Sequence, residues 1–103
     1  MVGNTQSYYA SPEDKSYYFI AGDAGSAIAV EYNQENPSLI QLSLKTMGNG
    51  KDFLIVPDGG YRNPVSPSSF EMRDFEDGVR RNNLHLHMNG MEVFSFAISN
   101  AKR

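Results

Sequence analysis

Residues 89–102 read NGMEVFSFAISNAK, and no other stretch of this chain defines a secondary-structure element so clearly. Asn89 is a residue type favoured at helix N-caps, and Glu92 stands three residues later, as in a capping box. Apolar side chains recur on nearly every side of the predicted helix: Met91, Val93, Phe94, Phe96, Ala97, Ile98 and Ala101. Lys102 and Arg103 complement the dipole at its C-terminal end. Because a helix that is apolar nearly all round is normally buried, we expect this one inside a larger body.

Three apolar runs before that helix predict β-strands at residues 16–23, 25–33 and 38–47. The first two runs do not alternate between apolar and polar side chains, which is typical of strands buried on both faces. Gly22 and Gly25 predict a tight turn that joins them as antiparallel neighbours. The pattern therefore predicts a mixed α/β fold, in which strands of a mixed sheet precede a buried C-terminal helix.

The remaining segments predict connections. Residues 11–14 read SPED, which favours a turn or the first turn of a helix. Residues 48–83 are rich in glycine, proline and charge, and predict a long loop. We treat residues 1–103 as a single partial domain, because a buried helix in so small a chain lacks enough packing partners.

Composition excludes several classes of function. The chain has 103 residues, a net charge of -3 and no cysteine, so it holds no disulfide, thiolate metal site or cysteine nucleophile. An acidic balance argues against a nucleic-acid partner. The apolar runs are too short to span a membrane, and the N-terminal residues do not resemble a signal peptide. We expect a cytoplasmic protein without a membrane partner.

Glycine pairs and an aspartate raise the possibility of a site in the first half. Gly22-x-x-Gly25 and Gly48-x-Gly50 fit either a phosphate-cradling loop or tight turns. A phosphate loop needs a helix N-terminus directly after the glycines, and a β-like run follows here, which favours turns. Asp23 fits a turn residue that accepts hydrogen bonds from backbone amides, with a catalytic acid as the alternative.

Two histidines and a serine offer further candidates. His85 and His87 share one face if residues 85–87 are extended, the spacing of some metal sites, although two histidines also occur beside buried strands. Ser26 lacks the trailing glycine of a nucleophile elbow. From the residue types alone, the chain contains no complete active site and no metal site.

Two segments resemble the β-ketoacyl-acyl-carrier-protein synthase III family. Residues 19–30, FIAGDAGSAIAV, resemble that family's Phe-Gly-Asp-Gly-Ala-Gly-Ala stretch. Residues 86–97, LHMNGMEVFSFA, resemble its Met-x-Gly-x-Glu-Val-Phe-x-Phe-Ala stretch. The resemblance covers nearly the whole chain and is weakest over residues 46–81. Ala21 departs from the family, which usually has Phe before Gly-Asp.

The resemblance implies a thiolase fold, of which this chain is a middle fragment that ends on the helix leading to the C-terminal half. In the family, a cysteine attacks an acyl-CoA thioester and the acyl group condenses with malonyl-acyl carrier protein, while a histidine and an asparagine stabilise developing charge. The resemblance places the cysteine before residue 1 and the other two residues beyond Arg103. It therefore implies a chain that is inactive alone, has no catalytic residue or cofactor of its own, and uses acyl-CoA and acyl carrier protein in the full-length parent.

The residues that carry over to this chain by resemblance are Met88, Gly90 and Phe94. In the family they border the channel for the acyl chain and pantetheine, and plain core packing of Met88 and Phe94 is the alternative. For function, the alternative to a synthase fragment is a non-catalytic binding or dimerisation module of the same ancestry. In either case open strand edges and apolar faces predict a homo-oligomer.

Overall fold

The computed structural model describes residues 1–35 and 37–100 and contains six short strands and one α-helix within them. The strands pair into three separate two-stranded antiparallel sheets, β1 with β2, β3 with β6 and β4 with β5. The elements in chain order are β1 (Val2–Thr5), β2 (Asp23–Ser26), β3 (Leu54–Ile55), β4 (Arg73–Asp74), β5 (Arg80–Arg81), β6 (His87–Met88) and α1 (Gly90–Asn100). The mixed α/β class predicted from the sequence is confirmed, although the sheets are much smaller than predicted.

The first predicted strand, at residues 16–23, is wrong over most of its length. Residues 15–20 form consecutive turns, in which the amides of Tyr18 and Ala21 donate to the carbonyls of Asp14 and Tyr17 at 2.9 and 3.0 Å. The cause is local, because the Asp14 carboxylate accepts hydrogen bonds from the amide and hydroxyl of Ser16 and so caps the first turn. Capping here overrides the β-propensity of the aromatic side chains.

The second and third predicted strands, at residues 25–33 and 38–47, are also absent beyond Ser26. A strand exists only when a neighbour pairs with its backbone, and no segment of the described chain lies beside them. The second run, predicted to be buried on both faces, is instead exposed, with Ile28 at 82% and Tyr32 at 87%, and Leu44 in the third run is 92% exposed. The apolar pattern favours strands here, but no segment within residues 1–35 and 37–100 pairs with these runs.

The predicted turn at Gly22 to Gly25 is wrong as well, because most of it forms strand β2. Strand β2 pairs with β1 in a register that sets Gly25 opposite Gly3 and Asp23 opposite Thr5. Positive φ angles occur within the described residues at Gly59 and Gly78, so neither Gly22 nor Gly25 uses the left-handed conformation.

The predicted loop at residues 48–83 contains more structure than expected. Strands β3, β4 and β5 lie within it, and short 3-10 turns form at Gly48–Gly50, Pro67–Phe70 and Glu76–Gly78. The φ of +99° at Gly59 reverses the chain, and the Gly59 amide donates to the Asn63 carbonyl at 2.9 Å. These elements connect the N-terminal half to β6 and α1.

Four of the five buried residues in the described part of the chain lie at or beside the contact between residues 9–14 and residues 80–86. The Ser11 hydroxyl donates to the Arg80 carbonyl at 2.6 Å, and the Leu86 amide donates to the Tyr9 carbonyl at 2.8 Å. The buried residues beside it are Ala10, Ser11, Asp14 and Tyr17. This contact, which we call the 9–14/80–86 clamp, links parts of the chain that lie far apart in sequence.

Helix α1 confirms the predicted helix over residues 90–100, and residues 101–103 lie outside the described part. The Asn89 side chain accepts a hydrogen bond from the Glu92 amide at 3.2 Å, which is the predicted N-cap. The expected burial is wrong for this chain, because none of residues 90–100 is buried and Phe94 is 62% exposed. No element of the described chain covers both sides of the helix.

The molecule is extended. Its radius of gyration is 18.2 Å, whereas a compact domain of this length has a value of about 13 Å. Many large apolar side chains are correspondingly exposed. Within residues 1–35 and 37–100, no helix reaches the length and hydropathy that a membrane-spanning helix needs.

Candidate functional site

An open cleft runs along strand β6 and the start of helix α1. Met88, Asn89, Gly90 and Met91 form one wall. The opposite wall and the rim are formed by Ser16, Asp52, Asp74, Phe75, Glu76, Val79, Arg81 and His87. Of the three residues that the resemblance singled out, the structure therefore brings Met88 and Gly90 to the same cleft.

Strand pairing and helix capping together hold Met88 and Gly90 in place. Met88 lies opposite Leu54 in the β3–β6 pair, and the Asn89 amide donates to the Phe53 carbonyl at 2.8 Å. Gly90 then begins α1 directly after its N-cap. Because β6 ends at Met88 and the capped helix α1 begins at Gly90, the backbone between them has little conformational freedom.

Gly90 leaves the backbone open at the cleft. A Cβ built at this position would meet no atom within 4 Å, so packing in this chain does not require glycine there. The opening instead exposes the first turn of α1, where an extended ligand could approach the backbone.

Phe94 is one helical turn beyond Gly90 and does not border this cleft. Its side chain is 62% exposed, so plain core packing does not describe it within this chain. Val93 and Phe96 instead border a smaller apolar cleft with Met47, Phe53 and Leu54.

Arg81, which borders the cleft, forms an ion pair with Asp14. Arg81 Nη1 donates to Asp14 Oδ2 at 2.8 Å, and the two side chains are 12% and 1% exposed. Burial acts to raise the pKa of Asp14, but hydrogen bonds from Ser16 and the charge of Arg81 outweigh it and hold that pKa below its usual value. Asp14 is therefore ionised at neutral pH.

The Arg81 guanidinium extends this network toward the cleft. Its central carbon lies 4.7 Å from the centre of the Phe75 ring, within cation–π range. The Phe75 ring meets the His87 ring edge to face, with centroids 5.3 Å apart. Sequence reasoning missed this network, because no sequence signal pairs Asp14 with an arginine 67 residues away.

His85 and His87 both hydrogen-bond to the backbone of Asn82. The Asn82 amide donates to His85 Nδ1 at 3.1 Å, and His87 Nε2 lies 3.1 Å from the Asn82 carbonyl oxygen. Burial lowers the pKa of both imidazoles. In the part of the chain that the structure describes, no three His, Asp or Glu side chains gather as metal ligands would. The pair therefore fits the structural interpretation.

The candidates in the first half also fit structural roles. The Asp23 carboxylate accepts hydrogen bonds from the amide and hydroxyl of Ser7 at 2.8 and 2.6 Å, so it bonds a backbone amide, although not one in the predicted turn. Those hydrogen bonds lower the pKa of Asp23. Gly48 and Gly50 form a single 3-10 turn, and Ser26 ends strand β2 on the surface.

A second polar cluster escaped sequence analysis. The Asp58 carboxylate accepts hydrogen bonds from the Asn83 amide group at 3.0 Å and the Ser69 hydroxyl at 2.8 Å, which lower its pKa. It lies beside an open cleft bordered by Tyr8, Tyr9, Val65, Phe70 and Leu84. The hydrogen bonds tie three loop segments together, which is a structural role.

Comparisons with known proteins support the resemblance. The β-ketoacyl-[acyl-carrier-protein] synthase III of Symbiobacterium thermophilum is 31% identical over 86 residues, which cover 84% of this chain and 23% of that protein. The protein of the same name from Clostridium acetobutylicum is 33% identical over 86 residues, with the same coverage. A crystal structure of 3-oxoacyl-(acyl-carrier-protein) synthase III is 34% identical and superposes with a TM-score of 0.73 over 95% of this chain and 29% of its own. No family model matches.

The fold and these matches place the chain in the thiolase-like class, as part of a mixed α/β architecture. Within that class, its curated matches all carry the name β-ketoacyl-[acyl-carrier-protein] synthase III, and the chain is similar to one part of those proteins. The chain spans about a quarter of the length of the curated relatives it matches.

Proposed function

We propose that this chain forms part of a 3-oxoacyl-acyl-carrier-protein synthase III-type acyltransferase of fatty acid biosynthesis. In that reaction the acyl group of acyl-CoA is transferred to a cysteine, and malonyl-acyl carrier protein loses carbon dioxide as its carbon attacks the acyl thioester. The observation that carries the proposal is the match to relatives of that name over 84% of the chain, together with the structural match over 95%.

The chain alone does not contain the chemistry of this reaction. It has no cysteine, so it holds no thiol that could accept the acyl group. His85 and His87 are both bound to the Asn82 backbone, and neither matches the family's catalytic histidine by motif. We therefore infer that catalysis needs residues outside this chain, and that the chain alone is inactive.

Binding is the contribution that we assign to this chain. Met88 and Gly90 border one cleft, where an apolar side chain and an open backbone suit an acyl-pantetheine arm. Phe94, exposed one turn further along α1, would border the same channel only when other parts of the protein close around the helix. Acyl-CoA and acyl carrier protein are the partners this proposal implies, and the cytoplasmic location remains a prediction.

The second candidate function is a non-catalytic binding or dimerisation module of the same ancestry. The observation that favours it is the extended shape of the chain, with exposed apolar side chains on α1 and along residues 27–46. Such surfaces are normally covered by protein, whether by the remaining parts of a synthase or by a second copy.

A chimera separates the two candidates. This chain replaces the aligned segment in the Symbiobacterium thermophilum relative, and the chimera is assayed for condensation of acyl-CoA with malonyl-acyl carrier protein. The unmodified relative is the positive control, and the relative with the segment deleted is the negative control. Turnover above that of the deletion supports a synthase role. A chimera that melts cooperatively but shows no turnover supports the non-catalytic module.

A further inference from the structure

We propose that Asp14 and Arg81 are positioning residues, which hold the Met88–Gly90 wall of the cleft in place through a chain of side-chain contacts. The role assigned to that wall rests on the proposed function, whereas the contacts themselves do not.

The ion pair is well fixed. Asp14 Oδ2 accepts from Arg81 Nη1 at 2.8 Å, while Asp14 Oδ1 accepts from the Ser16 amide at 2.9 Å. Neighbouring bonds of the 9–14/80–86 clamp hold both backbones, since the Arg80 amide donates to the Glu13 carbonyl at 3.2 Å. Asp14 is 1% exposed, so its charge has no access to solvent and depends on these partners.

Side-chain contacts connect Arg81 to strand β6. The guanidinium lies 4.7 Å from the Phe75 ring centre, and that ring packs against His87 with centroids 5.3 Å apart. His87 precedes Met88 directly in β6, and its Nε2 is also held at the Asn82 carbonyl. The backbone of β6 is thus held by its pairing with β3, and the His87 side chain of β6 is held by the Phe75 ring that Arg81 contacts.

A substitution at Asp14 can distinguish a positioning role from direct contact with a ligand. Arg81, Phe75 and His87 all border the cleft, so a substitution at any of them could act on a ligand directly. Asp14 does not border the cleft. A change at Asp14 therefore reaches the cleft through the partners that it holds, Arg81 and Ser16.

The first experiment uses this chain itself, produced with methyl-labelled methionine, and follows the Met88 methyl resonance by NMR after assignment with a Met88→Leu variant. Asp14→Asn replaces an acceptor by an amide whose nitrogen would face the Arg81 donor. Tyr17→Phe is the matched control, because it removes one hydrogen bond, from Tyr17 to Gln6, at a buried position that does not border the cleft.

We expect the Met88 resonance to differ from that of free methionine, to move in Asp14→Asn and to stay in place in Tyr17→Phe. A Met88 resonance at the free-methionine position in the unsubstituted chain would overturn the proposal. So would a resonance that Asp14→Asn leaves unchanged, or one that both variants move equally.

The second experiment measures KM and kcat for acyl-CoA in the chimera described above. Asp14→Asn should raise KM by roughly 2- to 30-fold, the range typical of mutations along a coupled network, with a smaller effect on kcat. Asp14→Asn combined with Arg81→Met should be no worse than Arg81→Met alone, since Arg81→Met has already removed the contact between the two side chains. Additive effects, or an unchanged KM in Asp14→Asn, would contradict positioning. If the unsubstituted chimera shows no turnover, the proposed function fails while the methyl resonance still decides whether the network exists.

Discussion

Gly90→Val in the chimera tests directly whether the cleft binds the acyl-pantetheine arm. A Cβ at this position meets no atom within 4 Å, and Gly90 is not among the glycines with positive φ. Valine should therefore fit without backbone strain. Valine also has a somewhat higher helix propensity than glycine. We expect the free energy of unfolding to change by less than about 0.5 kcal/mol.

The same substitution should weaken substrate use. The new side chain projects from the first turn of α1 into the space that a pantetheine arm would occupy. Inserting methyl groups into a filled site costs about 1–3 kcal/mol, which corresponds to an increase in KM for acyl-CoA of about 5- to 150-fold. The assay is steady-state kinetics at varied acyl-CoA, with thermal melts of the same preparations.

Gly22→Val is the matched control for this prediction. Its Cβ also meets no atom within 4 Å, and Gly22 precedes β2, outside the residues that border the cleft. It should leave both the melting temperature and KM nearly unchanged. Wild-type KM in Gly90→Val would refute the assignment of this wall to the substrate site, and a large loss of stability would show that packing explains the glycine.

Three further predictions concern the chain alone. Because it has no thiol, incubation with an acyl-CoA should leave its intact mass unchanged, and a covalent acyl adduct would contradict this. Its exposed apolar side chains predict a dimer or larger oligomer by light scattering at micromolar concentration, against which a sharp monomer peak would count decisively. Burial lowers the pKa of His85 and His87, so the unfolded chain binds protons first, and the urea midpoint should fall as pH drops below about 6.5. The urea midpoint should fall again at more acid pH, where Asp14, whose pKa is also lowered, takes up its proton. A urea midpoint that does not change with pH would disprove both effects.

Local signals in the sequence predicted what local chemistry determines. The N-cap at Asn89 and the helix after it depend on neighbouring residues, and both were predictable. Asp23 bonds a backbone amide too, but that amide belongs to Ser7, 16 residues away, so the sequence indicated the kind of bond and not the partner. The turn at residues 11–14 forms as well, since the Asp14 amide donates to the Ser11 carbonyl at 3.0 Å.

Features that depend on distant parts of the chain were not predictable. The run after Asp14 was not predictable for another reason, because two local signals compete there and capping by the Asp14 carboxylate prevails over β-propensity. Residues 27–46 have a strand-like pattern, but a strand needs a neighbour, and none lies beside them in the described chain. The pairing of Asp14 with Arg81 follows from the clamp between distant segments, for which periodicity gives no signal. At the candidate site, resemblance rather than pattern pointed to Met88 and Gly90, which the structure places on one cleft.

The most direct test of this account is a crystal structure of the chimera with a bound acyl-CoA. We expect the pantetheine arm within van der Waals distance, about 4 Å, of the Gly90 backbone, with the acyl chain beside Met88. An ordered pantetheine arm in contact with neither Met88 nor Gly90 would contradict the account.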